Sequence, residues 1–183
     1  SYTRKMRSLR AGSISVLQPF ASRSVAVGGQ IDRLAAIAGT GSLIQMTITT
    51  ITGKLATGLG KATGFTELDW AKAAFIDRLG IDPFPGTVNL IVATDTDRDA
   101  WRRVKEGAAI VISPPRTDWC DALCYPASIE TAEAAPIRAA IVLPDVAGYA
   151  PDQIELIAPV GIRDALRAGD GDAITIHVEQ GEG

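Results

Sequence analysis

The chain has 183 residues, 46% of them hydrophobic, and a formal net charge of −3. That length suits one domain with a sizeable core, and no apolar run approaches the roughly 20 residues that a membrane helix needs. Residues 1–45 set six basic side chains against Asp32, a net +5, which leaves −8 on the remainder; so acidic a body lacks the basic footprint that nucleic acid demands.

Residues 1–45 are rich in Ser, Gly and Arg, a composition shared by transit peptides, expression leaders and translated upstream sequence. They read as a leader, with the domain over residues 46–183. A helical turn or two is expected over residues 34–38. From Met46 the run M-T-I-T-T-I-T is rich in β-branched residues and predicts a strand. That strand enters G-K-L-A-T-G-L-G-K-A-T-G-F, where Gly58, Gly60 and Gly64 leave backbone N–H groups able to approach an anion. It is not a Walker loop, because Ala62 follows Lys61 and Leu55 stands where the first glycine belongs. Nor is it a dinucleotide fingerprint, since Thr63 occupies the third glycine position. The plain alternative is a glycine-rich hairpin.

Asp69 can cap a helix whose apolar positions are Trp70, Ala73, Ala74, Ile76 and Leu79, with Gly80 as its stop. This helix is expected over one mouth of a barrel, with Trp70 in the core. The turn Pro83-Phe84-Pro85-Gly86 then delivers Thr87 and Asn89 into a strand, and their i, i+2 spacing puts both oxygens on one face. Asn is depleted in strands, so Asn89 asks for a reason. A second helix is predicted from Asp95 to Val104, with an Ala100, Trp101, Val104 stripe. Further strands are expected at residues 108–112, 118–129, 137–143, 154–157 and 174–178, with a short helix within 159–166 and a turn at Asp170-Gly171-Asp172. Cys120, Cys124 and the distant His177 make no zinc site; half-buried thiols in a reducing cytoplasm and a solvated strand histidine are expected instead.

The motifs T-G-L-G-K-A-T-G-F, P-F-P-G-T-V-N-L and I-E-L-I-A-P-x-x-I-R-D-x-L with D-G-D, in that order and spacing, resemble the archaeal CTP-dependent riboflavin kinases. The resemblance implies a mainly β fold, a six-stranded barrel of the cradle-loop type with two or three short helices. It implies nucleotide contacts from Gly58, Leu59, Gly60, Lys61, Ala62 and Thr63 and from Val160, Gly161, Ile162 and Arg163. It assigns magnesium to Thr87 and Asn89, and a substrate contact to Glu155. The chain departs from the family pattern at Lys61, Ala62 and Gly64. It departs again at V-A-G-Y-A, which stands where the family has a hydroxyl- and His-bearing stretch near the acceptor; Tyr149 is expected to supply some of those substrate contacts.

Glu155 lies between apolar residues, where a carboxylate is costly without a partner. It is expected to accept a substrate hydroxyl or act as general base; the plain alternative is a strand-edge carboxylate paired with Arg163. Lys54, Lys61 and Arg163 could supply local positive charge. The implied activity is transfer of the γ-phosphate of CTP to the 5′-hydroxyl of riboflavin, with Mg2+, small-molecule partners only, no membrane and a cytoplasmic location. The alternatives are a kinase of another small alcohol, or a non-catalytic barrel that binds a ligand or assembles as swapped-hairpin transcription factors do.

Overall fold

The computed structural model describes residues 31–37, 43–58 and 64–181, with side chains from Met46 onward. Its strands are β1 (Ile31–Ile37), β2 (Leu43–Ala56), β3 (Val88–Val92), β4 (Ile110–Ile112), β5 (Ala122–Glu130), β6 (Ile137–Pro144), β7 (Gln153–Ile157) and β8 (Ala173–Gly181). The helices are α1 (Asp69–Leu79), α2 (Asp95–Glu106) and α3 (Ile162–Leu166). Six strands close a ring in the order β2, β3, β7, β6, β5, β8 and back to β2, every pair antiparallel. This is the six-stranded barrel that the resemblance implied, with three short helices where two or three were expected.

The length of β2 makes the closure possible. Its residues 46–54 pair with β8 along one edge, while the other edge serves β1 through residues 43–49 and β3 through residues 53–56. The helical turn expected over residues 34–38 is not formed: Ile31–Ile37 spends its backbone on a seven-residue ladder with β2, a tertiary pairing that overrides local preference. At the fork between β1 and β3, the Thr52 N–H is left to the Asp97 Oδ1 of α2, at 2.9 Å.

Asp97 is buried and also completes the start of α2. Its N–H donates to the side chain of the N-cap Thr94 at 3.1 Å, and the Thr94 hydroxyl returns a bond to the Asp97 carboxylate. Asp97→Ala therefore removes a capping partner and orphans the Thr52 N–H. Stability should fall by about 2 kcal/mol, read as a lower urea midpoint.

Alternate side chains of the strands fill the barrel: Leu55, Leu90, Tyr125, Ile129, Ile141, Ile154, Leu156, Ile174 and Ile176 belong to one buried cluster. The α2 residues Ala100, Trp101 and Val104 join it as the sequence stripe predicted, so α2 closes one end, with the Trp101 ring edge-on to Tyr125 at 6.0 Å.

α1 does not sit over a mouth. Because Tyr125, Ala127, Ala139 and Ile141 point inward, Ala122, Cys124, Ala140 and Val142 point outward and need cover. α1 supplies it through Ala71, Phe75 and Leu79, spaced by four; of the expected stripe, Ile76 is 46% exposed and Trp70 only half-buried. Asp69 is the first residue of α1 rather than its cap, and Gly80 ends it in the left-handed conformation at φ 63°. The Arg138 guanidinium donates to Leu79 O there at 2.6 Å.

The cysteines are not half-buried. Cys120 is exposed, and burial pushes the Cys124 thiol up to about 12, so it behaves as an inert core residue beneath α1. His177 lies half-exposed on the outer face, between the Thr50 hydroxyl and Glu130, each at 3.1 Å. Among the described residues no helix is long and apolar enough to cross a membrane.

Candidate active site

The proline turn does what its residues require. Phe84 N–H donates to Ala158 O at 2.8 Å, Gly86 N–H to Thr66 Oγ1 at 2.7 Å, and Gly86 takes a φ of 92° that favours glycine. The chain thereby turns into β3 with Thr87 and Asn89 on the outer face, since Leu90 and Val92 belong to the interior. Asn89 faces Glu155 directly across the β3–β7 ladder, and Ile91 faces Gln153. Thr87, Asn89, Gln153 and Glu155 therefore share one polar patch on the barrel wall.

Hydrogen bonds knit this patch. Thr87 Oγ1 donates to Glu155 Oε2 at 3.1 Å, and Tyr149 Oη donates to Glu155 Oε1 at 2.7 Å. Gln153 Nε2 donates to Asn89 Oδ1 at 2.7 Å and reaches Tyr149 Oη at 3.1 Å. Burial, and then the bond to Glu155, raises the Tyr149 hydroxyl above its ordinary range, which keeps it a donor. Gly58, two residues past β2, closes the patch: a Cβ there would lie 2.1 Å from Asn89 Nδ2, so this position must be glycine for Asn89 to keep its place.

Beside the patch lies an open cleft of about 220 Å³, lined by residues 84–88 and 160–164 together with Leu156 and Ala158. Thr87 belongs to both cleft and patch. Val160 is exposed at the cleft, Gly161 lies 3.5 Å (from its would-be Cβ) from the Phe84 ring, and the Ile162 side chain is buried in the core. Arg163 is not the partner of Glu155. It donates to Asp170 Oδ1 at 2.6 Å and to Ala56 O at 3.2 Å, bracing the end of β2 against the last turn. The Thr57 hydroxyl and the Arg163 guanidinium together hold the Asp170 carboxyl below its usual range. The positive charge expected from Arg163 is thus largely matched by Asp170.

Of the predicted site residues, Gly58, Thr87, Asn89, Tyr149 and Glu155 converge on the patch, and Val160, Gly161, Ile162 and Arg163 on the adjoining cleft. Leu59, Gly60, Lys61, Ala62 and Thr63 lie outside the described residues. Sequence reasoning missed Gln153, although its i, i+2 relation to Glu155 in a strand was the signal that would have found it. It also missed Asp170 as the partner of Arg163.

Residues 55–178 match the family model CTP-dep_RFKase, described as domain of unknown function DUF120. The chain belongs to this family. Its relatives include proteins named riboflavin kinase from Methanocella arvoryzae, 36% identical over 130 residues (69% of this chain, 56% of that protein), and from Haloquadratum walsbyi, 32% identical over 139 residues (72% and 57%). The riboflavin kinase of Methanosarcina acetivorans is 34% identical over 131 residues, 70% of this chain and 53% of that protein. The chain thus spans just over half the length of these curated relatives. The matched segment contains β3, β7 and α3, hence every residue of the patch and the cleft.

Proposed function

We propose that this member of the family is a CTP-dependent riboflavin kinase, giving FMN and CDP from riboflavin and CTP in the cytoplasm, with no nucleic-acid or membrane partner. The observation that carries the reading is Glu155, held by Tyr149 and by Thr87, the latter also lining a cleft built from two family motifs. Phosphoryl transfer asks a protein mainly for positioning and charge neutralisation. Glu155 Oε1 takes the Tyr149 bond and the longer Gln153 contact, whereas Oε2 accepts only from Thr87 and keeps a lone pair, so Oε2 can receive the acceptor hydroxyl and take its proton.

Thr87 gives its hydrogen to Glu155, leaving its oxygen lone pairs for a cation, and Asn89 Oδ1 has one lone pair beyond the bond from Gln153. These are hard oxygen donors of the kind Mg2+ takes. Among the described residues no group of three or more His, Cys, Asp or Glu could hold a metal, so these neutral donors suit an ion that arrives with the nucleotide phosphates. Bound there, Mg2+ would supply charge neutralisation on those phosphates. The cleft residues 160–163, with the loop after Gly58, are assigned to the cytidine nucleotide. The departure at V-A-G-Y-A favours one alternative, a kinase of another small alcohol, because Tyr149 stands at the acceptor end.

Purified protein incubated with Mg2+, CTP and riboflavin should form FMN, separated by chromatography. Absence of FMN together with unquenched riboflavin fluorescence overturns the reading. CTP turnover that requires a different alcohol establishes the alternative.

A further inference from the structure

Gln153 stands at the junction of the two halves of the patch. Its Nε2 lies 2.7 Å from Asn89 Oδ1, 3.1 Å from Tyr149 Oη and 3.4 Å from Glu155 Oε1. The shorter Tyr149–Glu155 bond, at 2.7 Å, takes the Tyr149 hydrogen, so Oη presents a lone pair to its other neighbour. Gln153 must then turn its NH2 group, not its oxygen, toward Tyr149 and Asn89. The two hydrogens of that group serve those two acceptors, and the Glu155 contact is the longest of the three.

We propose that Gln153 is a positioning residue that couples the metal-side Asn89 to the acceptor-side Tyr149–Glu155 pair. On one side it fixes which end of the Asn89 carboxamide faces Gln153, while Nδ2 points to Gly58, where any Cβ would come within 2.1 Å of it. On the other side it donates to the Tyr149 hydroxyl, and a hydroxyl that accepts a bond donates more strongly, here to Glu155. Without this amide, Asn89 is free to rotate its carboxamide and Tyr149 holds Glu155 less firmly. The i, i+2 spacing in β7 is what puts Gln153 and Glu155 on the same face.

This role rests on the riboflavin kinase reading, and the test separates the two. Gln153→Met keeps length and volume but no donor; Gln153→Glu keeps the shape and sets a second carboxylate beside Glu155. Residues that orient metal ligands typically change affinity or activity by about 10–100-fold. Both variants should lose kcat by about that factor, with the KM for riboflavin and for CTP within about threefold of wild type. Calorimetry should show that Gln153→Met needs more Mg2+ for CTP to bind, while melting temperatures of both variants stay within a few degrees of wild type. A Gln153→Met protein with wild-type kcat and wild-type Mg2+ dependence overturns the positioning role alone. So does a loss of kcat fully matched by loss of folded protein. Wild type that forms no FMN with any nucleotide overturns the kinase reading and the role together.

Discussion

Glu155→Gln is expected to lower kcat for FMN formation by about 10²-fold or more, the usual range for removing a positioned general base. The substitution keeps the shape of the side chain and removes its charge. Tyr149 and Thr87 are hydroxyls that can rotate to accept as well as donate, so the amide need not be left without partners. The fold should therefore tolerate the change within about 1 kcal/mol. Steady-state kinetics beside a thermal melt would check both halves of the expectation. A Glu155→Gln protein that turns over as fast as wild type would remove Glu155 from the chemistry and leave it a partner for Thr87 and Tyr149 only.

Asn89→Leu is the second large effect. Leu nearly conserves volume and deletes the Oδ1 that faces Gln153 and, in our reading, the magnesium ion. Gln153 keeps Tyr149 as an acceptor, so its half-buried amide is not wholly orphaned and stability should fall by about 1 kcal/mol. Activity should fall by about 10²-fold, and the Mg2+ concentration for half-maximal rate should rise. Gly58→Ala should repeat this in milder form, because its new methyl would push the Asn89 carboxamide aside. A fall in stability that matches the fall in rate would make Asn89 a structural residue. Full Mg2+-dependent turnover in Asn89→Leu would end the metal assignment to Thr87 and Asn89.

The parts of this molecule that were legible in its sequence are those dictated locally. The β-branched run from Met46 lies in β2, and Ala100, Trp101 and Val104 face the core from α2 because the stripe follows the helical period. The Pro-Phe-Pro-Gly turn delivers Thr87 and Asn89 to one face because strands alternate. What was not legible depends on neighbours distant in the chain. Burial of α1 through Ala71, Phe75 and Leu79 is decided by small apolar residues on the outer faces of β5 and β6. Nothing near Ile31–Ile37 announces that a ladder with β2 will take its backbone from a helix. The pairing of Arg163 with Asp170 rather than Glu155 follows from α3 ending beside the last turn. Gln153 matters only through Asn89 and Tyr149, one of them on another strand.

The central claim is that this site uses a cytidine nucleotide to phosphorylate riboflavin. In our reading, the glycine-spaced sequence from Gly58 to Gly64, which lacks the Walker pattern, recognises the edge of a pyrimidine base and disfavours the larger purine. A site whose buried polar groups would go unpaired with the wrong ligand can discriminate by about 10⁴-fold. The direct measurement is FMN formation by purified protein with Mg2+, riboflavin and each of the four nucleoside triphosphates in turn. CTP should give the highest kcat/KM by a wide margin and ATP a low one. ATP equal to CTP would contradict the account.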